Sequence, residues 1–117
     1  MEFTIVDKRV IITKYDLYQG EENGDTLNIK TAKTYESEDL CETTPLLHYL
    51  RADGEKGVIT LDKKVETNEF GEWLILRTKI NSNLTACVGG LDLQVELIKD
   101  NFNLKSEIFS LIVQPVL

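Results

Sequence analysis

The chain has 117 residues, of which 42% are hydrophobic and 28% charged, and its formal net charge at pH 7 is −7. This length is near the commonest domain size, so it predicts one domain, residues 1–117, with a core of its own. The composition argues against a disordered chain. The negative charge argues against binding to nucleic acid or to an anionic membrane surface.

Short runs that alternate apolar and polar residues follow one another along the whole chain. The clearest is 91–97, where a period of two places Leu91, Leu93, Val95 and Leu97 on one face and Asp92, Gln94 and Glu96 in water. This pattern is typical of a half-buried antiparallel strand. The predicted strands are residues 3–6, 10–15, 25–33, 46–51, 58–65, 73–80, 91–98 and 108–113.

Turn residues separate these runs, in order 20–24, 53–57, 68–71, 89–90 and 100–103. Segment 53–57 predicts a hairpin, because Gly54 and Gly57 can both take positive φ. Helical periodicity is weak, and its best candidate, 81–88, needs no more than a turn or loop before Gly89 and Gly90. Strands spaced by roughly 10 to 15 residues fit a sandwich or a barrel. We favour an all-β, two-sheet antiparallel β-sandwich of about seven to eight strands.

Residues that could perform chemistry are few, and each has a structural interpretation that we favour. His48 is the only histidine, so any Ser–His–Asp or Cys–His arrangement would have to use it; we favour a sheet residue with satisfied ring nitrogens. Cys41 and Cys87 could pair, or meet His48 around zinc. However, no Cys-x-x-Cys motif occurs, and free thiols packed as small hydrophobes are the better prediction. We expect no catalytic residue, cofactor site or metal site.

Two acidic segments and one tryptophan complete the candidates. Acidic loops can hold calcium, but neither segment has the residue order of a dedicated calcium loop, so solvated loops are favoured. The tryptophan, Trp73, could be a binding aromatic, and we predict instead a largely buried core anchor. The acidic residues are Asp16, Glu21, Glu22 and Asp25 in the first segment and Glu36, Glu38, Asp39 and Glu42 in the second.

Residues 1–5 lack a basic stretch followed by a long apolar run, so no signal peptide is expected. No apolar run approaches the ~20 residues that span a bilayer.

The order of turns and strands resembles the N-terminal domain of the phage baseplate upper protein family, found in tailed phages and prophages of Gram-positive bacteria. The similarity covers almost the whole chain but contains no short interface motif, so no contact residue is named. It rests on Gln19-Gly20 before Gly24-Asp25-Thr26-Leu27, Pro45-Leu46-Leu47-His48-Tyr49 before Arg51-Ala52-Asp53-Gly54, Phe70-Gly71-Glu72-Trp73, Leu84-Thr85, Gly89-Gly90 before Leu91-Asp92-Leu93-Gln94-Val95, and Ser106 to Val113.

The resemblance implies an immunoglobulin-like β-sandwich that acts as a non-enzymatic adaptor. Such a domain attaches host-binding proteins to the baseplate core, is assembled in the bacterial cytoplasm and becomes part of the virion tail. Its expected partners are other phage tail and baseplate proteins, with neither nucleic acid nor membrane, and homo-oligomerisation is left open. The alternatives are a carbohydrate- or cell-wall-binding sandwich, which needs exposed coplanar aromatics, and a small enzyme built around His48.

Overall fold

The computed structural model describes residues 2–6, 8–14, 17–21 and 26–116, with the backbone alone for 12–14. These ranges hold thirteen strands and one 3-10 turn, Leu40–Glu42. The strands are β1 Glu2–Val6, β2 Arg9–Lys14, β3 Leu17–Tyr18, β4 Thr26–Ala32, β5 Thr34–Tyr35, β6 Glu38–Asp39, β7 Thr44–Leu50, β8 Lys56–Thr60, β9 Asp62–Asn68, β10 Gly71–Lys79, β11 Gly89–Lys99, β12 Phe102–Lys105 and β13 Phe109–Gln114.

Two large sheets share one core, which confirms the predicted all-β sandwich, and β5 pairs with β6 in a separate two-stranded sheet. Sheet A has the strand order β2-β1-β4-β10-β9. Sheet B has the order β3-β13-β11-β7-β8, and β12 also pairs with β11. Within the described residues, the β1–β4 and β3–β13 pairs are parallel and the others antiparallel. The additional strands are short: β3, β5 and β6 have two residues each and β12 has four.

Alternate residues of both sheets meet in the core. The predicted inward face of β11 is confirmed, since Leu91, Leu93, Val95 and Leu97 are all buried. The inward-facing residues of sheet A pack against them, and one of these, Leu74, is completely buried. Each such side chain contributes about 1.5–3 kcal/mol through removal of apolar surface from water.

The predicted strand 58–65 is wrong as a single element, because the chain changes sheets at Leu61. This residue is 3% exposed, and its N–H donates to the carbonyl of Pro45 at 2.9 Å. β8 before it belongs to sheet B and β9 after it to sheet A. On β9, Lys63 Nζ donates to the carbonyls of Cys41 and Thr43 at 2.8 and 2.7 Å. The buried Leu61, between the strands β8 and β9, thus marks the point where the chain crosses from sheet B to sheet A.

The predicted turn 100–103 between the strands 91–98 and 108–113 is wrong in its second half, because β12 begins at Phe102. β12 lies between β11 and β13 along the chain and pairs with Glu96 to Lys99 of β11, after a turn in which Asn101 has a φ of 59°. Segment 81–88 forms the predicted turn, in which the Leu84 N–H donates to the Asn81 carbonyl at 3.2 Å. The ends of the predicted strands at residues 15 and 25 and most of the predicted turn 20–24 lie outside the described residues.

Candidate functional site on the outer face of sheet B

A groove of about 610 Å³ crosses the outer face of sheet B. The period of two places the outward residues of β7, β8 and β11 in it, opposite the leucines that enter the core. The loop before β13 closes its other side with Ile108. It is lined by His48, Tyr49, Leu50, Lys56, Gly57, Val58, Asp92, Leu93, Gln94, Glu96, Lys105 and Ile108.

A polar network forms the floor of this groove. His48 pairs in register with Gln94, so Glu96 is its diagonal neighbour on the same face. His48 Nε2 lies 2.6 Å from Glu96 Oε1, and Asn103 Nδ2 donates to Glu96 Oε2 at 2.5 Å. Lys105 Nζ lies 3.9 Å from the same carboxylate. Glu96 is therefore a carboxylate with a partner for each oxygen.

The sequence pattern placed Glu96 in water, and this expectation is wrong. Glu96 is only 7% exposed, because His48 on one side and β12 on the other cover it. Hydrogen bonds from His48 and then Asn103 lower the pKa of Glu96, and they outweigh the opposite effect of burial. The carboxylate thus stays ionised although it is buried.

A histidine beside a buried carboxylate supplies two of the three members of a nucleophilic triad. A triad needs a hydroxyl or thiol within hydrogen-bond reach of the imidazole. None of the described residues that line the groove is Ser, Thr or Cys. Ser106 lies nearby, but its Oγ donates to the Glu107 carbonyl and accepts from the Val95 N–H. Among the described groove residues, His48 therefore has a polar partner but no nucleophile beside it.

Exposed aliphatic side chains border the groove. Val58 of β8 is 54% exposed on one side, and Ile108 is 66% exposed on the other. Ile112 of β13, farther along the same face, is 57% exposed. Apolar side chains gathered in this way around a polar centre are typical of a surface that another molecule covers.

The structure does not bring the two cysteines and His48 together. Cys41 and Cys87 are free and partly buried. Cys41 packs against the core, as predicted for a thiol that behaves as a small hydrophobe, whereas Cys87 is not among the residues that contact the core. Burial, with a hydrogen bond to Asp39, raises the pKa of the Cys41 thiol. No cluster of three His, Cys, Asp or Glu side chains suited to a metal occurs within the described ranges.

The second acidic segment is tied to the fold by one lysine. Lys99 Nζ lies 2.8 Å from Glu38 and 3.9 Å from Glu42. The Asp39 carboxylate accepts from the Cys41 N–H at 2.9 Å, which caps the 3-10 turn. In the first segment, Asp16, Glu22 and Asp25 lie outside the described residues.

Trp73 lies on the outer face of sheet A, so the prediction of a core anchor is wrong. Leu74 and Leu76 take the inward positions of β10, and residue 73 has the opposite parity. The indole is half-buried, with Lys30 Nζ 4.4 Å from the ring centroid. Its Nε1–H donates to Asn68 Oδ1 at 3.3 Å. A lysine, not the core, covers this aromatic ring.

Comparisons with known proteins leave the family open. The chain matches no protein-family model, and no curated protein is significantly similar to it. Among the described residues, no helix is long and apolar enough to cross a membrane. The likeness to the phage baseplate upper protein family therefore stays a prediction.

Proposed function

We propose that this chain is a non-enzymatic adaptor module of a phage or prophage tail baseplate, which attaches host-binding proteins through protein–protein contacts. The observation that carries a protein-binding role is the groove of sheet B, with Val58 and Ile108 exposed on its two sides. The baseplate setting comes from the sequence resemblance alone.

The groove has the composition of a protein contact. Its apolar sides would lose water on docking, and each half-exposed aliphatic side chain would contribute about 1 kcal/mol. Lys56, Asp92 and Lys105 surround this apolar part with charges of both signs, as in the polar rim of an interface. The occupant that fits is a partner protein with an apolar ridge and mixed charges beside it.

A carbohydrate-binding module is the alternative, and the positions of the aromatics disfavour it. Tyr18 and Phe70 are 45% and 80% exposed, but Tyr18 lies on the edge strand of sheet B and Phe70 in the β9–β10 turn of sheet A. Trp73 is covered by Lys30. These rings do not share one strand face, as a sugar-stacking platform requires.

The test is an affinity capture from the lysate of a phage-induced host, read by mass spectrometry. The bait is the whole chain, with Val58→Asp/Ile108→Asp as the groove variant. Val6→Asp/Val116→Asp is the control, since these side chains are 53% and 65% exposed and lie outside the groove. Circular dichroism first verifies that all three baits are folded.

We expect baseplate or receptor-binding tail proteins on the unmodified chain and on the control, and a loss of more than tenfold on the groove variant. If the groove variant captured tail proteins as well as the unmodified chain does, the groove would not be the binding surface. Capture of cell-wall material without tail proteins would replace the adaptor with the carbohydrate-binding alternative.

A further inference from the structure

The outer face of sheet A gathers three cationic side chains around one isoleucine. In register, Ile75 of β10 lies between Lys30 of β4 and Lys64 of β9. Two residues further along β10, Arg77 points to the same face. All four residues line a depression of about 250 Å³. We call Lys30, Lys64 and Arg77 the cationic cluster.

Among the described residues, these cations form none of the close ion pairs that other cations of this chain have. Lys33, Arg51 and Lys99 each form an ion pair of 2.7–2.9 Å. Within the described ranges, no ion pair involves a member of the cationic cluster. Carboxylates do occur nearby, since Glu2 and Glu66 line the same depression and Asp62 is the cross-strand partner of Arg77. The cluster nevertheless keeps three positive groups that an incoming anion can contact.

The centre of the depression is apolar. Ile75 is only half-buried, and the indole of Trp73 lies two residues before it on the same face. Lys30 contacts this indole through its ammonium group, which keeps its charge beside the isoleucine. The surface thus combines a small apolar floor with positive charges on both sides.

The net charge of the whole chain decides the kind of anion. At −7, the protein repels a long polyanion such as DNA, whose binding needs many phosphate contacts. A ligand with a few charges in the footprint of the cluster avoids most of this repulsion. We propose that the cationic cluster binds a short acidic segment of a partner protein, in which two or three carboxylates flank an apolar side chain that packs on Ile75. This surface is separate from the groove of sheet B and does not depend on its function.

The probe is a fluorescein-labelled nonapeptide in which three glutamates alternate with valines. The control peptide has glutamine in place of each glutamate. The affinity of each peptide for the whole chain is measured by anisotropy at low and at physiological salt. Lys64→Glu/Arg77→Glu reverses the charge of two of the three members of the cationic cluster. The control, Lys8→Glu/Arg9→Glu, changes the net charge equally at exposed positions near the β1–β2 turn.

We expect saturable binding of the acidic peptide that weakens with salt, at least tenfold weaker binding by Lys64→Glu/Arg77→Glu, and a change below twofold in the control. Equal losses in both variants would show a net-charge effect and overturn the proposal. So would absence of binding, equal affinity for the glutamine peptide, or tighter binding of a short DNA oligonucleotide.

Discussion

We predict that Gly57 does not tolerate a side chain, because the ring of Tyr49 occupies the space that a side chain would need. The two residues are cross-strand partners of β8 and β7. A Cβ built on Gly57 collides with the Tyr49 ring, whereas one built on Gly90 of β11 meets nothing within 4 Å. Neither glycine has the positive φ that would strain an alanine. Gly57→Ala and Gly90→Ala are therefore the same substitution in one sheet, with and without a steric conflict.

The magnitudes follow from two opposing effects. Alanine in a strand stabilises by roughly 0.5–1 kcal/mol relative to glycine, because the unfolded chain has less backbone freedom. Gly90→Ala should show this gain. At Gly57, the ring has to leave its place against the core, and such overpacking costs about 1–3 kcal/mol. Gly57→Ala should thus be destabilising, and Tyr49→Ala should restore the gain at position 57.

Urea unfolding followed by circular dichroism gives the free energies, including those of the double variant. The double-mutant cycle should show a coupling between positions 49 and 57 of about 1–3 kcal/mol. Equal effects of Gly57→Ala and Gly90→Ala, or no relief by Tyr49→Ala, would refute the steric argument.

Three further predictions concern single groups. The hydrogen bond from His48 lowers the pKa of Glu96. The ionised Glu96 therefore stabilises the folded protein fully above the ordinary glutamate pKa, and this stabilisation is lost as the pH falls through the lower pKa of the folded state. As the pH is lowered, the urea midpoint of the unmodified protein should accordingly fall more steeply than that of Glu96→Gln. Parallel plots of midpoint against pH for the two proteins would contradict this. Lys30→Ala should increase acrylamide quenching of Trp73 fluorescence, since it uncovers the ring, and unchanged quenching would show that the lysine does not protect it. Because burial raises the pKa of Cys41, iodoacetamide should modify it more slowly than free cysteine at pH 7.5, as peptide mass spectrometry can show; an equal rate would count against that shift.

The fold was predictable from the sequence wherever a strand has one buried face. The alternation at 91–97 placed four side chains in the core correctly, because only one parity allows burial of the leucines. The crossing at Leu61 was not predictable. A leucine between Thr60 and Asp62 fits a continuous strand as well as a step between sheets, and only the partner strands of β8 and β9 decide.

The candidate site was less predictable, because it depends on register. His48 was identifiable as the only histidine, but its partner Glu96 is 48 residues away and has the parity of a solvated residue. Placing them together requires the pairing of β7 with β11, and the burial of Glu96 further requires β12. β12 has only four residues directly after a turn, so its sequence carries little strand signal. The same limit applies to the cationic cluster, whose members come from three strands.

The two candidate surfaces lie on opposite sides of the sandwich, and this geometry bears on an adaptor role. Sheets pack about 10 Å apart with the core between them, so a partner on the outer face of sheet B does not cover the outer face of sheet A. The substitutions should then act independently. Val58→Asp/Ile108→Asp should leave the affinity for the acidic peptide unchanged, and Lys64→Glu/Arg77→Glu should leave the capture of groove partners unchanged. If either pair altered both readouts in a folded protein, the two faces would be coupled, and a module that holds two partners independently would be the wrong description.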